Sequence, residues 1–312
     1  MKRASTIAIH QALHGYNDGH RLLASSNQNL LSKDQQTLLV MSDASGTGLE
    51  MDSRGYLTGY PLEGSGVYAL ARTWPAPEMP RPGCVWTHTL LIDFADLAAL
   101  PDLGQLTAYF LRPSSGRLKD YSELIRLLLK SEPLAGTSLQ DSFAERVLCG
   151  IYGTAKSCVL PGAPLSQAEE AVILQTWSQQ WPRLRRTFSF CTHASSDNST
   201  MQSSFDLQVA AKTPHRSNVP PASLEGPEWI PLAIKDLHHP GSLRAFLREV
   251  AIDLSGSGRE VFPVLVSIYA LLSVGSASTF AQAVGLAKQK LLKADSGEQL
   301  RSTLLKSCVG GL

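Results

Sequence analysis

Hydrophobic and polar positions at the opening of the chain alternate with a period of two, which is the signature of a strand. From Ile7 to Leu13 the side chains of Ile7, Ile9, Gln11 and Leu13 fall on one side and those of Ala8, His10, Ala12 and His14 on the other. Asn17-Asp18-Gly19 supplies residues that tolerate positive φ, and Arg21-Leu22-Leu23-Ala24 resumes an extended pattern, so the opening predicts a β-hairpin. A helix is expected next, capped by Ser32, running through Leu38, Leu39 and Met41 and ending before a loop at Gly46 and Gly48. Further strands are expected at Gly66 to Trp74 and Cys84 to Ile92, separated by a connection holding Pro75, Pro77, Pro80 and Pro82. Pairing of these strands predicts an antiparallel sheet.

Beyond Asp93 the period lengthens to that of helices. Phe94 to Leu100 reads as a short helix, and Tyr121 to Leu129 as another with Leu124, Ile125, Leu128 and Leu129 on one face. Helices are predicted at Asp141 to Ile151 and at Ser166 to Trp181, where Ser166 and Glu169 have the spacing of a capping box. Phe188 to Thr192 and Phe205 to Val209 are short extended runs joined by a Ser/Asn-rich segment, and from Leu243 onward the pattern is mostly helical. The expected fold class is α+β in three parts. Residues 1–130 form an antiparallel-sheet domain with flanking helices, 131–240 a mixed α/β middle domain, and 241–312 a helical C-terminal region.

Val261 to Ala287 carries no charged residue and is long enough to cross a bilayer. Pro263, Gly275, Gly285 and several hydroxyl side chains divide it into two shorter segments, the second opened by a Ser/Thr cap. Those breaks favour a buried helical hairpin over insertion into a membrane. Composition adds little beyond an ordinary globular protein. With 28 Lys plus Arg against 27 Asp plus Glu there is no overall field to draw the chain to nucleic acid. Five scattered cysteines without a CxxC pair do not suggest a disulfide framework, and the segment after Met1-Lys2-Arg3 has no apolar core of signal-peptide length, so a cytoplasmic location is expected.

Candidate chemistry is sparse. No glycine-rich turn ends in Gly-Lys-Ser/Thr, so a phosphate-cradling P-loop is missing, and there is no Gly-x-Ser-x-Gly elbow. His10, His14, His20 and His88 fall in the first ninety residues. In an extended strand His10 and His14 are about 13 Å apart, too far to share one metal ion. At most one of them joins any site, so the candidate constellation is His10 or His14 with Asp18, His20 and His88; the hydrolytic reading takes His10, Asp18, His20 and His88, with histidine as base or ligand and Asp18 as orienting carboxylate. The plainer reading gives Asp18 to the turn and the imidazoles to partners within a sheet. Arg183, Arg185 and Arg186 form the densest basic cluster, a candidate contact for a partner surface or anion, with a solvated helix end as the simpler alternative. His238-His239 reads as loop. No metal or cofactor site is expected.

The run His10-Gln11-Ala12-Leu13-His14-Gly15-Tyr16-Asn17-Asp18-Gly19-His20-Arg21-Leu22-Leu23-Ala24-Ser25-Ser26 resembles the opening of the N-terminal domain of bacterial GTPase-associated proteins. Arg81 to Ile92 is similar to a strand that recurs later in that domain, and Thr187 to Thr192 resembles its middle domain. The resemblance implies a protein encoded beside a separate GTPase in prokaryotic conflict or anti-phage defence systems, with nucleotide hydrolysis on the partner. The leading expectation is a non-enzymatic interaction and regulatory subunit that docks a GTPase or effector. Two alternatives stand beside it: a hydrolase or nuclease centred on the histidine set, and a membrane-active effector acting through residues 261–287.

Overall fold

In a computed structural model the protein is described over residues 6–26, 29–44, 51–114, 117–128, 139–153, 157–194, 205–211, 228–254, 258–292 and 296–309. The first strand, β1 (Thr6–Tyr16), turns back at Asp18 and Gly19, whose φ values of 53° and 118° lie in the left-handed region, into β2 (His20–Ser25). Helix α1 (Ser32–Met41) follows. Then come β3 (Tyr56–Leu62), β4 (Val67–Pro75) and β5 (Val85–Asp93), each antiparallel to its neighbour in the sheet.

Residues beyond the expected junction near 130 continue the same sheet. After α2 (Phe94–Ala99) come β6 (Ile125–Leu128), α3 (Asp141–Tyr152), β7 (Cys158–Pro161), α4 (Gln167–Gln179), α5 (Pro182–Thr187), β8 (Phe190–Ala194) and β9 (Leu207–Ala210). The strand order is β2-β1-β5-β4-β3-β8-β9-β7, with β6 added against Thr6 to Ile9 of β1. Strand β8 joins β3 antiparallel, whereas β8 and β7 both run parallel to β9, so the open sheet is mixed and the fold is α+β. The chain closes with α6 (Trp229–His238), α7 (Ser242–Val250), α8 (Phe262–Val274), α9 (Ala277–Lys290) and α10 (Glu298–Val309).

The two sheet faces are covered unequally. Ala12, Leu91, Ala69, Tyr60 and Leu62 pack against Leu38 of α1 on one face. On the other, Ile7, Ile9, Leu90, Ile92, Leu70, Leu57 and Tyr68 merge with buried side chains of α3, α4 and the C-terminal helices into the main core. Tyr68 is tied there by its hydroxyl, which donates to the Phe188 carbonyl at 2.7 Å, and by its ring, 4.6 Å from that of Trp177.

Several expectations need correction. Tyr121 to Leu129 is not a helix: a 3₁₀ turn spans Leu118–Ser122, and β6 follows, while Leu129 lies outside the described residues. Leu127 is buried and Leu128 exposed, a period of two imposed by pairing with β1 more than a hundred residues away, which a local window cannot register. Ser32 does not cap α1. Leu31 stands at that position, its N–H donating to Ser65 Oγ at 2.9 Å, while Ser65 donates to Asp34 at 2.6 Å. Strands β3 and β7 were not foreseen. His238 ends α6 instead of lying in a loop, with Nε2 2.6 Å from Asp141 Oδ1. The loop expected at Gly46 and Gly48 and the Ser/Asn-rich connection at 195–204 lie outside the described residues.

The capping box forms as expected, Ser166 Oγ accepting from the Glu169 N–H at 3.2 Å and the Glu169 carboxylate accepting from the Ser166 N–H at 2.8 Å. Residues 261–287 fold into α8 and most of α9, an antiparallel pair joined through Gly275 at φ 72° and capped at Ser276. Phe262, Leu265, Val266 and Ile268 enter the core, whereas residues 273–278 at the hairpin tip are exposed. Among the described residues no helix is long and apolar enough to cross a membrane.

Candidate functional site

Register decides which of the candidate side chains can meet. His10, Ala12 and His14 of β1 lie opposite Leu91, Thr89 and Thr87 of β5 and point to the face covered by α1. A bulge between Leu13 and His14 sets His14 opposite Leu22 and Tyr16 opposite His20, so His20 shares that face. Leu13 lies opposite His88, which places His88 on the other face with Gln11. The structure therefore brings His14 and His20 together and separates both from His88. The rings of His14 and His20 stack with centroids 6.1 Å apart and an interplanar angle of 19°.

Around this pair the end of α1 is bolted to the sheet through hydroxyl groups. Ser42 Oγ donates to the Leu39 carbonyl at 2.7 Å, so the 2.8 Å contact with His20 Nε2 has the imidazole N–H as donor. Thr87 donates to the Ser42 carbonyl, and its oxygen accepts from Thr73 at 2.9 Å. Burial, reinforced by His20, depresses the His14 pKa to about 3, and no partner meets its buried Nδ1. His20 is also lowered by burial, against the opposing pull of Asp43 and Ser42. The pair is thus neutral near pH 7, and the nearby serine has already committed its proton to a carbonyl.

His10 is spent on the strand. Its Nδ1 lies 3.2 Å from the Ser26 carbonyl and 3.1 Å from Ser26 Oγ, while Ser26 Oγ accepts from the Gln11 N–H at 2.9 Å. Asp18 sits at the exposed hairpin turn, where its carbonyl accepts from Arg21 Nη2 at 2.7 Å. On the opposite face His88 is wholly buried, with Tyr121 and Phe110 edge-on at 4.9 and 5.7 Å. Gln11 Nε2 donates to the Asp120 and Glu123 carbonyls at 2.8 and 2.7 Å, which leaves Gln11 Oε1 to accept from His88 Nε2 at 2.8 Å. His88 Nδ1 then accepts from the Leu111 N–H at 3.2 Å. Both nitrogens are occupied, and burial lowers this imidazole to about 3. Among the described residues no cluster of three His, Cys, Asp or Glu side chains could hold a metal ion.

The basic cluster also divides. Arg183 and Arg186 are exposed at α5, the latter with its guanidinium 6.0 Å from the Phe94 ring centre. Arg185 is fully buried and donates to the carbonyls of Gln180, Leu100, Leu97 and Ser178. It is an internal tie, and the three arginines do not form one contact surface. Sequence reasoning passed over Gln11, Ser42, Thr73 and Thr87; the alternation of β1 did carry the signal for Gln11, a polar residue among Ile7, Ile9 and Leu13 on the apolar side.

An open mixed sheet led by a β-hairpin, with a polar histidine and hydroxyl patch beneath α1, defines an α+β protein whose N-terminal segment carries a distinctive and tightly bonded sequence. Residues 8–110 match the family described as GTPase-associated protein 1, N-terminal domain type 1. This stretch is therefore a GTPase-associated domain, in agreement with the resemblance of the His10 to Ser26 and Arg81 to Ile92 runs. Thr187 to Thr192 lies outside the matched residues. No curated protein and no solved structure matches the chain.

Proposed function

We propose that this protein is a non-enzymatic interaction and regulatory subunit of a bacterial GTPase-linked conflict system, and that its N-terminal domain docks a separate GTPase or an effector under its control. The match of residues 8–110 to a GTPase-associated domain carries this reading. The bonding of the two matching runs supports it: His10, Gln11 and His20 of the first and His88 of the second are engaged in holding the domain together. A centre shared by His20 and His88 would require them on one face of the sheet, and they project from opposite faces. The docking surface in this reading is the hairpin edge, where Arg21 and Leu22 of β2 are exposed and β1 is the strand partner of β2 among the described residues.

Co-purification of the untagged chain with the GTPase encoded beside it, loaded with GDP or with a non-hydrolysable GTP analogue, tests the reading. Retention in at least one nucleotide state, weakened by Leu22→Asp, is the expected result. Recovery of nothing in either state would overturn it.

A further inference from the structure

Three guanidinium groups meet where α7 packs against the connections that follow α2 and α4. Arg185 Nη1 donates to the Leu100 carbonyl at 2.6 Å, and Arg248 Nη2 lies 3.4 Å from the same oxygen. Arg244, one turn before Arg248 and only 6% exposed, donates through Nε to Asp236 Oδ2 at 2.8 Å and through Nη2 to Gln175 Oε1 at 3.1 Å and the Asp236 carbonyl at 3.2 Å. Gln175 in turn donates to Asp102 Oδ1 at 2.9 Å, an oxygen that also accepts from the Gly104 N–H at 2.8 Å. Three cations thus face two carboxylates, Asp102 and Asp236, which leaves an excess of one positive charge in a largely buried setting. Arg185 uses its donors on carbonyls. Arg244 Nη1 and Arg248 Nε are buried and meet no acceptor.

We propose that Arg244 and Arg248 form a binding site for a phosphate-type oxyanion, entered from the half-exposed side of Arg248. Side chains at i and i+4 of a helix are neighbours, and guanidinium forks match phosphate oxygens. An anion there would accept from both orphaned donors and cancel the excess charge. Burial and the repulsion of Arg248 and Arg244 hold Arg185 below the ordinary arginine range, and burial with Arg244 does the same to Arg248, so the cluster is under electrostatic stress that a bound anion would relieve. Arg244 and Arg248 themselves lie outside residues 8–110, and the test reads anion binding without any GTPase present.

The test is thermal unfolding of the full chain in increasing inorganic phosphate, with ionic strength held constant by chloride. A saturable rise in melting temperature is expected. Arg248→Gln, at a half-exposed position whose one main-chain contact is long, should raise the half-saturating concentration about tenfold, while Arg248→Lys retains part of the affinity and Lys288→Gln, an exposed charge on α9, changes nothing. A phosphate monoester serves as a second ligand: a response to both assigns the site to a phosphoryl group, and a response to inorganic phosphate alone assigns it to the free ion. No saturable rise, an equal rise with acetate, or an undiminished rise in Arg248→Gln would overturn the proposal.

Discussion

Replacing Arg185 separates a structural cation from its exposed neighbours in the same six-residue helix. Arg185→Ala strips the donors from the carbonyls of Gln180, Leu100, Leu97 and Ser178. Taken at about 1 kcal/mol each, because water entering the vacated volume satisfies some of them, these orphaned acceptors cost about 4 kcal/mol. The cavity adds about 2 kcal/mol, and removal of a desolvated charge returns roughly 3 kcal/mol, for a net loss near 3 kcal/mol. Arg183→Ala and Arg186→Ala, on exposed side chains, should each cost less than about 1 kcal/mol. Equilibrium urea unfolding reads the difference. Tryptophan fluorescence suits it, since Trp177 donates to the Arg185 carbonyl at 2.9 Å and Trp181 precedes α5 directly. With an m-value of about 3 to 4 kcal/mol/M the Arg185→Ala midpoint should fall by just under about 1 M. Equal midpoints for the three alanine variants would refute the assignment of Arg185 as an internal tie.

Other consequences follow from single features. Ser166→Ala removes the capping box of α4 and should lower unfolding free energy by about 1 kcal/mol, with Ser166→Asp restoring most of it. Gly55→Ala puts a Cβ 2.0 Å from the Thr73 carbonyl at a position with φ 65°, and should cost more than about 2 kcal/mol in a thermal melt. His14 and His88 are held at about 3, below the ordinary imidazole value, so under acid the unfolded chain takes up protons that the folded chain refuses. Stability should therefore fall from about pH 6.5 towards pH 3 by about 1.4 kcal/mol per pH unit for each of the two, and urea midpoints of His88→Gln should show that slope reduced by one histidine.

Much of the fold was legible because the relevant signals are local. The β1–β2 hairpin follows from alternation plus Asn17-Asp18-Gly19, and the α8–α9 turn from Gly275 and Ser276. What escaped depends on partners distant in sequence. Strand β6 forms because Thr6 to Ile9 offers it an edge, and Arg185 is buried because carbonyls at the C-terminal ends of α2 and α4 converge on it. A window around Trp181 to Arg186 shows only cations beside aromatics, which has the same appearance on a surface. The histidine set failed to converge for a reason equally hidden in sequence: the register that puts Leu13 opposite His88 turns that imidazole away from His14 and His20.

The distinctiveness of the His10 to Ser26 run can be traced to bonding within the domain. Gln11 links β1 to the 3₁₀ turn and to His88, Ser26 closes the hairpin against Gln11 and His10, and His20 fastens β2 to Ser42 at the end of α1. At Gly15 a Cβ would lie 2.4 Å from the Trp86 ring, so the close approach of β1 to β5 requires glycine there. Asp18 and Gly19 adopt the backbone angles that the two-strand turn demands. A segment so fully committed to its own architecture identifies the domain sharply. If the domain docks a partner as proposed, variation that alters partner choice without unfolding it is to be sought at the side chains this bonding leaves exposed, Arg21 and Leu22 first among them.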